Sequence, residues 1–164
     1  MNSKKSAYVA KASMIAALYV LMTFLSSLMG LSSGVIQLRL SEMLTVLPLY
    51  TTAAIPGLFI GCLVSNLITG CAIWDVVFGS IATLVAAIIT SRMRRMKYLA
   101  TLPPVIMNTI VVPPGLSIVY KVPDALWFIY LTVFIGEVLS CTVFGSLLIT
   151  YIEKHRFKFF RFLL

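Results

Sequence analysis

Apolar residues run along this chain in long blocks, with polar residues gathered between the blocks rather than alternating inside them. Blocks at about 8–29, 74–91, 98–118 and 125–152 each approach the roughly 20 residues that a helix needs to cross the hydrocarbon layer of a bilayer. The block at about 41–73 is too long for one crossing. Within it, "YTTAAIPG" at 50–57 places Pro56 and Gly57 where a helix breaks. The block therefore divides into a short second helix over about 41–54 and a third helix after it. The pattern predicts an all-α membrane protein, a compact bundle of six transmembrane helices forming a single domain over residues 1–164, with no internal repeat.

Charge fixes the expected orientation. Lys4, Lys5 and Lys11, the "RMRRMK" cluster at 92–97, and Lys154, Arg156, Lys158 and Arg161 all fall on one side only if 41–73 crosses twice. Basic residues flanking membrane helices favour the cytoplasm. Both termini are then cytoplasmic, and of the 13 basic residues only Arg39 and Lys121 lie outside. The net charge of +8 is thus accounted for by topology, which argues against nucleic acid as a partner. The closing "HRFKFFRFLL" fits an interfacial basic and aromatic segment. The first block follows a basic stretch but is too long for a signal-peptide core, so it reads as a retained helix.

Composition agrees with a membrane setting. Hydrophobic residues make up 60% and charged residues 11% of 164, whereas soluble domains carry about a quarter charged residues. Cys62, Cys71 and Cys141 show no metal-ligand spacing and are expected to be small buried hydrophobes. Against this background each polar residue inside a block needs a reason. Glu137, in "VFIGEVLSC", sits about a dozen residues into the sixth helix. A carboxylate at that depth costs about 2.5–3.5 kcal/mol on insertion scales, so it should face the bundle and have a partner. Asn108, between Pro103-Pro104 and Pro113-Pro114-Gly115, is its natural companion, and those prolines are expected to interrupt the fifth helix and free backbone groups toward a site.

Asn66 in the third helix either ties two helices together or contacts a ligand. Arg39 and Glu42, ahead of the second helix, either pair and cap it, with Ser41 as the capping side chain, or line an outward-facing pocket. Asp75 reads as a helix cap and Trp74 as an interfacial anchor, and either can equally belong to the pocket rim. Trp127 and Tyr130 add aromatic surface at the same end of the bundle.

These residues suit binding better than catalysis. His155, in the tail, is the only histidine, so there is no histidine-based catalytic pair or metal cluster, and no GxxxxGK[ST] loop is present to hydrolyse ATP. No cofactor is expected. A pocket of carboxylates, amides and aromatics fits a planar polar ligand, with rings stacking on its face and polar groups pairing with its edge. In the first helix, "AKASMIAALY" spaces Ala12 and Ala16, and likewise Ser13 and Ala17, four apart, making a flat strip for close helix approach, either inside the bundle or against another subunit.

The Ala-xxx-Ala strip, "QLRLSEMLTVLPLY", "GLFIGCLVSNLITG" and "DVVFGSIATLVAA", set in six helices, resemble the substrate-binding S-components of energy-coupling factor (ECF) vitamin transporters. Within these, the chain is similar to the queuosine-precursor transporter family, QueT. The resemblance covers nearly the whole chain, and the Gln-x-Arg-x-Ser-Glu stretch is its most specific part. It implies a multi-pass protein of a prokaryotic cell membrane that takes a 7-deazaguanine-type precursor from outside. It further implies docking on a membrane-embedded EcfT-type coupling subunit carrying two cytoplasmic ATPases, so that hydrolysis belongs to the partners. A guanine-like edge presents N–H donors to a carboxylate such as Glu137, and Glu42 would suit a ligand ammonium. Alternatives are an S-component for another vitamin, such as thiamine or riboflavin, and a non-transport membrane scaffold.

Overall fold

A computed structural model describes residues 3–31, 38–118 and 125–155, and these are all helical apart from short connections. In chain order the helices are α1 (Ser3–Leu28), α2 (Leu40–Leu49), α3 (Ala54–Ile68), α4 (Asp75–Arg92), α5 (Leu99–Ile118) and α6 (Leu126–Lys154). α1, α4, α5 and α6 are long and apolar enough to cross a membrane, and they coincide with the four clear blocks of the sequence. α2 and α3 are shorter apolar helices. Gln37, Lys121 and the tail beyond His155 lie outside the described residues.

The block at 41–73 divides as expected, but earlier. The chain turns over 50–53, and Pro56 is the third residue of α3 rather than a break. In a first turn the proline's missing N–H has no helical partner to lose. The proline pairs of α5 also differ from expectation, because the helix is continuous through them. Pro103 and Pro104 fall in its opening turns. Near Pro113 and Pro114 the Trp74 indole N–H donates to the Val111 carbonyl at 3.1 Å, so a neighbouring helix supplies a donor. Gly115 makes room for it: a Cβ there would stand 2.4 Å from the Trp74 ring.

α2 is the axle of the bundle. It is wound as a 3₁₀ helix for all ten residues, eight of them buried, and α1, α3, α4 and α6 pack around it. Ten residues wound this way reach about 20 Å rather than the roughly 15 Å of an α-helix. Three residues per turn also bring positions three apart into register, so Arg39, Glu42, Thr45 and Pro48 follow one another along a single face. The buried apolar cluster sits beside it, built from Ile15 and Tyr19 of α1, Leu44 to Leu49 of α2, Leu58 and Cys62 of α3, and Ile149 and Ile152 of α6.

α1 lies directly on α3. Gly57 and Gly61 bring the backbones together: a Cβ on Gly57 would be 2.7 Å from the Ala12 carbonyl oxygen, and one on Gly61 would be 2.8 Å from Tyr19 Cβ. Small residues four apart let membrane helices approach this closely. Ala12 and Ala16 are therefore half-buried at this seam, while Ser13 and Ala17 remain exposed on the outer face of α1.

The basic residues collect at one end. Tyr8 donates to the Thr52 carbonyl at 3.2 Å, and Lys97, in the connection between α4 and α5, is ion-paired with Glu153 of α6. The first tie fastens the start of α1 to the turn between α2 and α3, and the second fastens the 92–97 connection to the end of α6. The sides of the bundle carry apolar residues outward, including Leu21, Phe24, Ile106, Ile110 and Leu147, as a lipid-facing surface requires.

The seam yields a stability test. Gly61→Ala forces a contact that neither backbone can relieve, and should cost about 1–3 kcal/mol of overpacking strain. Gly79→Ala, whose added Cβ would meet nothing nearer than Asn66 Nδ2 at 3.6 Å, should leave stability nearly unchanged. Thermal unfolding in detergent, followed by tryptophan fluorescence, separates the two.

Candidate functional site

Two elements deliver the charged residues to one place. Arg39 immediately precedes α2, Glu42 is on its first turn, and Glu137 reaches them from α6. Glu42 and Glu137 are 1% and 8% exposed, in a setting where an unpartnered charge costs several kcal/mol. One carboxylate oxygen from each, together with Cys141 Sγ, lies within 4.8 Å of the others. The Arg39 guanidinium is within electrostatic reach of both carboxylates, and the Asn108 carboxamide on α5 lies beside both. Cys141 donates to Glu137 Oε2 at 3.3 Å. A cleft of about 10 Å³, lined by Arg39, Val112, Val133 and Glu137, opens beside the cluster. That is room for about one water.

The winding of α6 changes at this point. Its α-helical stretch ends at Glu137, and Val138–Phe144 is wound as a π-helix before the α-helix resumes at Gly145. Such insertions recur at functional sites because they rotate the residues that follow. Here Ser140 and Cys141 both turn inward, and the Arg39 backbone N–H donates to Ser140 Oγ at 3.3 Å.

A ladder from α1 holds the other side of the site. The Tyr19 hydroxyl donates to Glu42 Oε1, the Thr23 and Ser41 hydroxyls meet at 2.8 Å, and the Leu40 N–H donates to Ser26 Oγ at 2.9 Å. Three successive residues of the 3₁₀ helix are thus each tied to one residue of α1. This corrects the expectation that Ser41 caps α2: no side chain caps that helix, and Ser41, one residue inside it, is engaged by Thr23 instead. Glu42 Oε2, by contrast, receives no hydrogen bond.

The structure brings Arg39, Glu42, Asn108 and Glu137 together and sets the other sequence candidates apart. Asn66 donates to the Asp75 carbonyl at 2.9 Å, joining α3 to the start of α4, and Asp75 itself is buried there. Trp74 packs on Phe78 and against Gly115 of α5. Trp127 and Tyr130 are 69% and 37% exposed on α6 and do not line the cleft. Tyr19 and Ser140 were not singled out by sequence reasoning, and Cys141, read there as a small buried hydrophobe, is buried but also donates to Glu137. The available signal for Tyr19 was a hydroxyl at bilayer depth, which must find a partner when buried.

Chemically, the cluster holds one carboxylate more than its single guanidinium can pair with. The carboxylates, the Asn108 amide and the Arg39 donors can together read a planar edge carrying both N–H groups and acceptors. The three groups that converge here as possible metal ligands are one fewer than a closed tetrahedral site uses, and the guanidinium beside them opposes a dication.

Asn66 supplies the test of this division. Asn66→Ala should lower stability by about 1–3 kcal/mol, the cost of leaving a buried polar group unsatisfied, read by thermal unfolding of the purified chain.

The comparisons with known proteins can be set on this geometry. The family model described as QueT transporter matches residues 9–154. The chain is 35% identical over 85 residues to the queuosine precursor transporter QueT of Lactococcus lactis subsp. cremoris (strain MG1363), a match covering 52% of this chain and 50% of that protein. The alignment thus spans only half the length of that curated relative. No solved structure matches the fold. The apolar helices and the family model, which extends from the first helix to the last, agree, and the chain belongs to the QueT transporter family.

Proposed function

We propose that the chain is the substrate-binding subunit of an ECF-type importer, taking a queuosine precursor of the 7-deazaguanine type from outside the cell. Membership of a transporter family, together with four helices long and apolar enough to span, makes it a multi-pass membrane protein with a transport rather than a catalytic role. The observation that carries the finer reading is the buried Arg39, Glu42, Asn108 and Glu137 cluster, assembled from three separate elements beside a cleft. The Lactococcus relative carries the name of a queuosine precursor transporter. A guanine-like edge matches the donors and acceptors of the cluster, and an ammonium on the ligand would meet its surplus negative charge.

The orientation follows the basic residues. In this reading all six helices cross, with the end that gathers Lys4, Lys5, Lys11, Arg92 to Lys97 and Lys154 in the cytoplasm. The 3₁₀ helix, about 20 Å long, is shorter than the roughly 30 Å hydrocarbon layer, so the second crossing enters this helix below the outer surface, at the depth of Arg39. Asn66, Asp75, Trp74, Trp127 and Tyr130 then belong to the outer half, the first three as supports for the cleft and the last two as aromatic surface near its entrance.

The outer face of α1 supports the partner. Ala16, Ala17, Val20 and Leu21 line an apolar groove of about 410 Å³ shared with Val64 of α3. An EcfT-type coupling subunit carrying two ATPases would dock on this strip of Ala12, Ser13, Ala16 and Ala17. Because Ala12 and Ala16 touch α3, bulk added at Ser13 and Ala17 tests docking without disturbing the seam.

Two measurements examine the reading. Glu137→Gln should weaken binding of a 7-deazaguanine by about 1–3 kcal/mol, the scale of a charged hydrogen bond, in calorimetric titration of the chain in nanodiscs. Unchanged affinity would remove Glu137 from the ligand. The double change Ser13→Trp and Ala17→Trp should abolish co-purification with the coupling subunit and uptake by cells, while ligand affinity stays within about twofold because the sites are distant. If ligand affinity falls with docking, α1 does not divide the two roles in this way.

A further inference from the structure

We propose that Tyr19 is the positioning residue of the binding site: by engaging Glu42 Oε1 from α1, it commits Oε2 as the acceptor presented to a cationic ligand. The inference rests on the substrate reading above and adds to it the residue that decides which way the carboxylate faces.

The observations are geometric. Tyr19 is buried in the core cluster, with its Cβ against Gly61 on one side and its hydroxyl on Glu42 on the other. It is the one rung of the α1 ladder that reaches a charged side chain of the site; Thr23 and Ser26 hold Ser41 and the Leu40 backbone. Glu42 is 1% exposed, yet only one of its two oxygens is hydrogen-bonded. A buried carboxylate oxygen without a donor is costly and normally avoided. Glu42 lies in the cluster that already holds Glu137 and Arg39, with Asn108 beside it, so an ammonium entering that cluster would meet the carboxylate whose Oε1 the phenol already holds.

A carboxylate has two equivalent oxygens, so without the phenol it could turn about its own axis and offer both to Arg39 as a bidentate pair. The tyrosine removes that freedom. It also ties the site to α1, the helix whose opposite face carries the apolar groove, so a shift of α1 would move the Glu42 carboxylate directly.

Glutamine at position 42 turns this into a specific test, because an amide has one acceptor and one donor end. If Tyr19 fixes the near atom, Glu42→Gln must give its carbonyl oxygen to the phenol and aim its NH₂ at the ligand. The probes are 7-aminomethyl-7-deazaguanine, which carries an ammonium, and 7-cyano-7-deazaguanine, which does not, titrated into wild type, Tyr19→Phe, Glu42→Gln and the double variant in nanodiscs. Glu42→Gln should lose about tenfold or more for the ammonium probe, the scale of a removed charged hydrogen bond, with a much smaller loss for the nitrile. Adding Tyr19→Phe to Glu42→Gln should recover part of that loss, since the amide is then free to turn its oxygen to the ligand.

Thr23→Val, which cuts another rung, should lower the melting temperature without changing the ratio of the two affinities. Additive losses in the double variant, or equal losses for both probes, would make Tyr19 a packing residue and overturn the inference while leaving the substrate reading in place. If Tyr19→Phe does not fold, the contrast between the two probes on Glu42→Gln decides alone, equal losses again being the adverse result. A wild type that binds neither probe removes the substrate reading and this inference with it.

Discussion

Two carboxylates and a guanidinium held inside an apolar bundle are the constraint around which the other features of this protein are arranged. In a low-dielectric interior, such charges persist only where donors and counter-charges are fixed around them. Each helix near the cluster answers part of that demand. α1 brings a phenol, α5 brings an amide, and α6 brings a thiol together with a hydroxyl for the Arg39 backbone. The cluster still holds one carboxylate more than its guanidinium can pair with, and one carboxylate oxygen without a donor. A bundle built only for stability would have no use for either, since replacing a buried ion cluster with packed apolar side chains is often neutral or favourable.

The backbone bends its own rules to keep this arrangement. Long 3₁₀ helices are uncommon because their hydrogen bonds are poorer and their side chains eclipse at every third position. In α2 that eclipsing is the useful property, since it stacks Arg39 and Glu42 on one face. The π-wound stretch of α6 does the complementary work, presenting Glu137, Ser140 and Cys141 to the same point. α2 is enclosed by neighbouring helices, whereas the π-wound stretch turns only Ser140 and Cys141 inward and leaves Leu139 and Val143 exposed. Inside a membrane, irregular backbone is tolerated where protein rather than lipid surrounds it.

Much of this was legible in the sequence, and the limits are physical. Length and hydropathy placed α1, α4, α5 and α6, because the thickness of the hydrocarbon layer sets a helix length that local detail cannot alter. The depth of Glu137 and its pairing with the Asn108 region followed from the cost of an intramembrane carboxylate. The winding of α2 was not legible, because a 3₁₀ helix among neighbours on all sides has no amphipathic signature. The proline pairs misled about α5: Pro113 and Pro114 remove the N–H donors to the Thr109 and Ile110 carbonyls, yet the helix continues through them, braced at the neighbouring Val111 carbonyl by Trp74 from 37 residues away in sequence. Tyr19 escaped notice for a related reason: it resembles any aromatic in an apolar run until the fold places Glu42 beside it.

The polarity of the molecule as a whole leads to its mechanism. Its flanks are apolar and its interior holds a polar cluster beside the apolar core, so in the proposed reading the ligand passes from water into a site where every hydrogen bond is strengthened by the absence of competing solvent. With room for about one water beside the cluster, a nucleobase-sized ligand cannot enter without movement of at least one wall. The walls differ in how they are held. α3 is locked to α1 by the glycine seam, whereas α5 and α6, which form the Val112 and Val133 side of the cleft, meet there without such a seam and are joined by Thr101 to Thr142 at 3.4 Å and by Asn108 beside Glu137. Apolar packing between membrane helices gains little over packing against lipid. In the proposed reading that side is the one to part, while Glu42, fastened to α1 through Tyr19, stays in place to receive the ligand.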